Sequence, residues 1–300
     1  MKILLLGANG QVGWELRRSL APLGEIFAPT RAEGADLSDP PGLLPLVDRI
    51  RPDVIANAAA YTAVDRAESE TDLARRVNAD APAVLARAAA GSGAWLVHYS
   101  TDYVFDGAKP APYGEGDAPN PLNVYGATKL AGERAVLESG CRCLVFRVSW
   151  IYAARGINFI RAILRQAREK DSLRVVADQR GAPTGAELVA DATAIALRCV
   201  LAPGGEAKGG LYHLAAAGET TWHAYARLIL AEARAQGTPL KAGPDAVAAV
   251  STAGYPTPAR RPANSRLDTA RLRETFGICP PPWQGALRRT LAEILAGPCG

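Results

Sequence analysis

Several things are scarce in this sequence, and each scarcity closes off a class of protein. Its 300 residues contain five cysteines, at 141, 143, 199, 279 and 299, with no Cys-x-x-Cys among them. An odd, scattered set of this kind fits free thiols in a reducing compartment better than a disulfide framework. The three histidines, His98, His213 and His223, lie far apart, and no His/Cys spacing suits zinc. No apolar run approaches the roughly 20 residues needed to cross a bilayer. The opening MKILLLGANG has one positive charge and four apolar residues before Gly7, too short for a signal-peptide core. Basic residues outnumber acidic ones only slightly, for a net charge of +4, and no basic arm or clustered Lys/Arg tract occurs. Nucleic acid and membrane are therefore poor candidates as partners, while phosphate-bearing ligands are mildly favoured. The expectation is a cytoplasmic chain.

What is present is an ordinary globular composition, 48% hydrophobic and 21% charged. The length suits one large α/β domain or two modest lobes. Short apolar runs alternate with helical patterns through the first half. Strands are predicted at Ile3–Leu6, Glu25–Ala28, Asp53–Asn57, Trp95–Ser100 and Cys143–Val148. Helices are predicted at 11–20, 72–90 with a break near Pro82, and 124–139. This alternation predicts a Rossmann-type, doubly wound parallel sheet with helices on both faces. After residue 150 the pattern loosens into helices near 158–169, 187–201, 223–236 and 284–295, separated by Pro/Gly-rich loops. The predicted division is a dinucleotide-binding domain over 1–150 and a smaller, mainly substrate-binding lobe over 151–300, interleaved with the sheet. Ligands of open α/β sheets bind beyond the C-terminal strand ends, so the chemistry belongs to residues just after strands.

Gly7, Gly10 and Gly13 of GANGQVG lie between the first strand and the first helix. There they permit a tight turn and close approach of the backbone to a pyrophosphate, with the helix N-terminus facing the anion. A carboxylate commonly ends the second strand and bonds the adenosine ribose. Here Thr30 and Arg31 stand at that strand end, and an arginine accommodates a 2′-phosphate, favouring NADPH over NADH. Asp36-Leu37 and Ala60-Tyr61-Thr62 follow, each either a further cofactor wall or a well-packed turn. Tyr125 and Lys129 are spaced to meet on one helix face, although many solvated helices carry the same spacing.

Thr101 just past a strand end, Tyr125 opening a helix 24 residues later and Lys129 one turn on together give the decisive pattern. With the glycine cradle, it resembles the extended short-chain dehydrogenase/reductase family over nearly the whole chain. The stretches VHYSTDYVFDG, PLNVYGATKLAGE, FRVSWIY, DQRGAPTGAELVAD and RPANSRLD narrow the resemblance to members that act on dTDP-linked sugars. The resemblance implies NAD(P)H-dependent reduction of the C4 ketone of a dTDP-4-keto-6-deoxy-L-sugar. In that reading Tyr125 donates the proton, while Lys129 lowers its pKa and holds the nicotinamide ribose. Thr101 hydrogen-bonds the carbonyl oxygen, Thr101, Asp102 and Tyr125 contact the sugar, and Trp150 lines its pocket. Gly10-Gln11-Val12, Asp36-Leu37 and Ala60-Tyr61-Thr62 match cofactor-contact positions. A phenol with a pKa of about 10 needs such help to exchange protons near neutrality.

The resemblance also implies a homodimer, in some members with Mg²⁺ held by glutamates, and Glu15, Glu187 and Glu293 stand at the matching positions. Three unrelated solvated glutamates are the competing account. Arg147 reads as a paired structural arginine and His98 as a satisfied strand histidine. Asn264 and Ser265 either contact the nucleotide or cap a helix near Asp268. Two other functions stay open. One is a related epimerase or 4,6-dehydratase, although STDYVFDG lacks the Glu usual after the Asp in dehydratases. The other is a non-catalytic NADP-binding regulator, like the regulatory subunit of methionine adenosyltransferase.

Overall fold

The chain runs through its own centre first. In the computed structural model, which describes residues 1–297, Ile3, Leu4, Leu5 and Leu6 are all fully buried. They form the first of six strands: β1 (Lys2–Leu6), β2 (Glu25–Phe27), β3 (Val54–Asn57), β4 (Trp95–Thr101), β5 (Arg142–Val148) and β6 (Gly210–Leu214). The order is β6-β5-β4-β3-β1-β2, and every neighbouring pair is parallel. A parallel sheet is covered on both faces, which is why these strands read as apolar runs without alternation.

Successive side chains nevertheless go to opposite faces. Ile3, Leu5, Val97 and Phe146 pack with the helices Gln11–Ser19 and Ala186–Leu201. Leu4, Leu6, Leu96 and Val145 pack with Leu44–Ile50 and Ala81–Ser92. The break expected near Pro82 falls one turn earlier, as a π-helical stretch over Arg76–Asp80. A strand that the sequence reading missed, β6, extends the sheet from the second half of the chain. A separate core, built by Phe159–Glu169, Trp222–Ala235 and Trp283–Ala296 around Tyr225 and Trp283, makes the second lobe. Residues 151–297 thus contribute both to that lobe and, through 186–214, to the sheet. Among the described residues no helix is long and apolar enough to cross a membrane. Cys141, Cys143, Cys199 and Cys279 are free thiols, and Cys299 lies outside the described residues.

The connection from β2 to β3 crosses to the other side of β1. The strand order therefore reverses at the β1/β3 boundary, and a crevice opens there at the C-terminal ends. The loops after these two strands nearly touch: a Cβ on Gly7 would lie 2.6 Å from the Ala59 nitrogen. On the first helix, a Cβ on Gly13 would overlap the Gly7 carbonyl and lie 2.9 Å from the Ala8 Cα. Gly13→Ala is expected to lose about 1–3 kcal/mol to overpacking, more than the roughly 1 kcal/mol that alanine gains in a helix. Calorimetry would show this as a lowered melting temperature. An unchanged value would mean that the helix is free to move off the strand.

Candidate active site

A cavity of about 1020 Å³ runs across the strand ends from β2 to the second lobe. At its centre the turn after β1 presents Gly7, Gly10, Gln11 and Val12. Gly7 has φ +78°, which only glycine adopts readily. Gly10 caps the helix Gln11–Ser19 with no side-chain cap and no acidic residue in the first turn. The leading N–H groups and the positive helix end are therefore left to a ligand anion. Gly13 does not line the cavity, and its part is the helix–strand contact described above.

At the β2 end the cavity meets Arg31, Asp36 and Leu37. Arg31 is exposed and opens a short 3-10 turn. Two residues on, Glu33 accepts bonds from the Thr30 backbone N–H (2.7 Å) and hydroxyl (2.8 Å). Those bonds hold its carboxyl below the usual range. Glu33 is thus committed to a capping box. Asp36 is likewise engaged, by the Ser38 N–H and hydroxyl, which lower its pKa, and it is close enough for Arg31 to help.

Ala60, Tyr61 and Thr62 form the wall after β3. Asn78, buried in the π-helical stretch, pins that wall. It accepts from the Tyr61 N–H (2.9 Å), donates to the Tyr61 carbonyl (3.0 Å) and donates to Thr128 of the later helix Val124–Leu137 (3.2 Å). π-Helical turns frequently mark functional positions. The sequence reading missed Asn78, although a polar residue amid an Ala-rich apolar face was a visible signal.

Thr101, Asp102, Tyr125, Lys129 and Trp150 line the far end of the cavity. Thr101 ends β4 and donates to the Asp102 carboxylate (3.0 Å). Asn123 caps the helix Val124–Leu137, accepting from the Gly126 N–H (2.8 Å) and donating to the Arg260 carbonyl (2.7 Å). This cap fixes where the helix begins and so where Tyr125 stands. Lys129, one turn further, is buried. Burial pushes the Tyr125 phenol up to about 12, with the Thr101 hydroxyl opposing and Asp102 adding to the rise. Burial also pushes the Lys129 ammonium down to about 8, with Glu133 opposing. Asp102 is raised to about 6 by burial against opposing bonds from Ser265, Thr101 and Ser149. Its Oδ2 has no protein partner, so one acceptor is left for a ligand hydroxyl.

Trp150 follows β5 with φ +47°, the left-handed region that a bulky residue seldom adopts. A slot from the second lobe holds it there. Trp222 stacks on its indole at 3.6 Å and 12°. Beside it Gly181 comes so close that a Cβ would lie 2.5 Å from the ring. Gly181 and Trp222 are brought together by the paired strands Arg180–Gly181 and Thr220–Thr221. Trp222 also lines the cavity and was not picked out from the sequence. A buried aromatic more often belongs to a core, and only the pairing of two distant short strands distinguishes this one.

Other expectations resolve differently. Arg147 is paired, with Glu133. Asn264 donates to the Lys109 and Ala111 carbonyls and braces a loop, and Ser265 faces Ser149. Neither residue caps the next helix, Ala270–Phe276, whose N-cap is Thr269. His98 bonds Asn57 through Nδ1 but leaves Nε2 unpartnered. Glu15, Glu187 and Glu293 are close enough for the latter two to raise the Glu15 pKa, which burial raises most. Glu187, however, is taken by Arg289 and Thr290. Among the described residues no group of three or more His, Cys, Asp or Glu is arranged to hold a metal ion. The expected Mg²⁺ site is therefore not supported.

A glycine-turned crevice at the switch point of a parallel sheet, with a strand-end threonine and a Tyr/Lys pair at one end, defines a Rossmann-type NAD(P)-dependent oxidoreductase. Residues 1–296 match the family model of the RmlD substrate binding domain, and the chain belongs to that family. It is 52% identical to the dTDP-4-dehydrorhamnose reductase of Escherichia coli K12 over 98% of both chains. With the enzyme of that name from Burkholderia thailandensis it shares 49% identity, covering 99% of this chain and 100% of that one. Among solved structures, dTDP-4-dehydrorhamnose reductase from Bacillus anthracis in complex with NADP superposes with a TM-score of 0.88 at 34% identity. That match covers 97% of this chain and 99% of the other.

Trp222→Ala is expected to abolish the exciton couplet that two stacked indoles give in the circular dichroism spectrum, with the helical signal retained. An unaltered couplet would show that the Trp150–Trp222 stack is not the form in solution.

Proposed function

We propose that this chain reduces the C4 ketone of dTDP-4-dehydro-β-L-rhamnose to give dTDP-L-rhamnose, with NADPH as the preferred reductant. The observation that carries the reading is one continuous cavity. Its middle is a phosphate cradle and its end holds Thr101, Tyr125 and Lys129 together. The residues fit a dinucleotide. Gly7, Gly10, Gln11 and Val12 would take the pyrophosphate, Asp36 and Leu37 the adenine, and Ala60–Thr62 and Lys129 the nicotinamide half. Arg31 would meet a 2′-phosphate. Relatives that carry the reductase name across the full length of the chain support the choice of substrate.

NADPH, when bound, supplies the hydride. The chain supplies the proton and the orientation. Tyr125 must enter the reduction protonated, and burial keeps it so, because the lone chain holds the phenol above its ordinary value. The expectation that Lys129 draws this pKa toward neutrality is thus not met in the chain by itself, where desolvation wins. As the ketone becomes an alcohol, the Tyr125 O–H breaks and its proton goes to the sugar O4. The phenolate left behind is stabilised by the adjacent Lys129 ammonium and regains a proton before the next turnover. Thr101 turns its one O–H from Asp102 to the same oxygen as negative charge builds on it, and a donor in a dry site is worth more there than in water. Asp102, with its free Oδ2, accepts from a sugar hydroxyl, and Trp150 forms the apolar wall.

Steady-state assays with the dTDP-4-keto-6-deoxy-L-sugar should consume one NADPH for each product formed. Turnover without net NADPH oxidation would instead identify an epimerase or dehydratase that recycles its hydride. Tyr125→Phe is expected to lower kcat by about 10²–10⁴-fold, the usual share of a general acid, while NADPH binding persists. Near-normal turnover would remove Tyr125 from the mechanism. Arg31→Ala should weaken NADPH binding more than NADH binding, as read by titration calorimetry. Equal losses would mean that Arg31 does not touch the 2′-phosphate.

A further inference from the structure

Beneath the cavity, a second charged layer lies between the sheet and the helix Val124–Leu137, and the reaction as described makes no use of it. Glu133 and Arg147 are both 2% exposed. Arg147 Nε and Nη2 donate to the two carboxylate oxygens of Glu133, at 2.9 and 2.5 Å. This is the bidentate geometry of the strongest ion pairs. Arg147 is itself fixed from the other side. Its guanidinium lies over the Phe105 ring at 4.9 Å, and Nη1 approaches His213 Nε2 at 3.4 Å. His213 Nδ1 meets the Tyr113 carbonyl at 3.0 Å, and burial holds the ring neutral with a pKa of about 3. The proton therefore sits on Nδ1, and Nε2 is free to accept from Arg147.

A buried ion pair is weak evidence of stabilisation, since apolar residues of similar volume often serve as well. Its position in the fold is more informative. Glu133 follows Lys129 by four residues on one helix, so the two side chains share a face. Glu133 on its own helix and His98 on β4 are the titratable groups that Lys129 acts on or is acted on by, and Tyr125 stands one turn before it on the same helix. His98 is kept neutral by burial. Burial works against the Lys129 ammonium, and Glu133 is the one group that opposes it.

We propose that Glu133 is a positioning residue for the reaction: clamped by Arg147, its carboxylate keeps Lys129 charged under the cavity and so acts on Tyr125 through Lys129. Arg147 denies the carboxylate other orientations, and the His213 contact denies the guanidinium its own. The layer is thus a fixed counter-charge set one helical turn behind the reacting groups. This rests on the assignment of Tyr125 and Lys129 above.

The sign follows from the charges. Neutralising Glu133 removes the one group that raises the Lys129 pKa, so the ammonium is lost at lower pH. In Glu133→Gln the alkaline limb of the kcat profile should move down by about one pH unit or more, the usual effect of one close charge. Activity at acid pH should stay near that of the parent. The same shift should appear without substrate or cofactor, as a lowered titration midpoint of the Lys129 ¹³Cε resonance, assigned with Lys129→Arg. Glu133→Gln strands a buried guanidinium at a cost to the fold, so Glu133→Gln/Arg147→Met supplies a second variant without either charge and with the space still filled. It should melt close to the parent and still show the lowered midpoint. Variants that lose activity equally at every pH, with the Lys129 midpoint unmoved, would reduce the pair to a brace of the fold and overturn the proposal. A parent chain that does not oxidise NADPH with the keto sugar would fail the functional reading alone. The resonance would still decide the role of Glu133.

Discussion

The helix Val124–Leu137 lies closer to its neighbours than any side chain would allow, and the arrangement of the site follows from that contact. A Cβ on Gly126 would overlap the Tyr103 carbonyl, and one on Gly132 would overlap the Asn78 carbonyl. The first approach presses the helix start onto the turn after β4, bringing Tyr125 to Thr101. The second presses the helix middle onto the π-helical stretch, where Asn78 ties it to the cofactor wall at Tyr61. Between these two contacts the helix has no freedom to rotate. Tyr125, Lys129 and Glu133 are consequently presented as one column facing the sheet. The helix buries residues on nearly every side, so its position is set by packing and not by an amphipathic stripe.

Such close packing makes desolvation the dominant electrostatic effect in the site. The Lys129 shift, from 10.5 to about 8, amounts to about 3 kcal/mol against the charged form at 1.36 kcal/mol per unit. A solvent-exposed ion pair contributes roughly 0–1 kcal/mol, too little to offset that. A counter-charge that matters here must itself be buried and held. The same effect moves Asp102 and Tyr125 toward their neutral forms. In the reduction proposed for Tyr125 that is no handicap, since a proton donor must begin neutral. For Lys129 it is, and the buried Glu133–Arg147 pair one helical turn on is the counter-charge proposed above.

Much of this was legible in the sequence, for identifiable reasons. The five strands of the first half stand out because a doubly covered parallel strand must be apolar throughout, and ILLL and CLVF are. The cradle is legible because glycines at a strand–helix junction have few other uses, and Tyr125 and Lys129 because a helix fixes the geometry of four-residue spacing. The remainder depends on contacts between distant segments. β6 reads as GLYHL, where a glycine, a tyrosine and a histidine interrupt the apolar run, and it exists because β5 offers an open edge. Glu33 is near enough in sequence to bond a ribose, but its backbone turns it into a cap for Thr30. Trp222 resembles any core aromatic until Thr220–Thr221 pairs with Arg180–Gly181. The three glutamates are brought near one another, as expected, but the ion pair of Glu187 with Arg289 stands where a ligand set would need a free carboxylate.

Trp150 stands at the boundary of the two parts into which the sequence divides. It stands at the end of β5, in the first half, yet its strained backbone is held by Gly181 and Trp222 from the second. In return, the second half gives the sheet its sixth strand and the helix Ala186–Leu201 that covers one face. The exchange brings Trp150 and the glycine turn after β1 into the lining of one cavity. A residue in the left-handed region costs of order 1–3 kcal/mol and persists only where its surroundings over-determine it. Here the surroundings are a stacked indole and a missing Cβ. Both come from the second half of the chain, so the contacts that hold Trp150 in the cavity wall are made between the two halves.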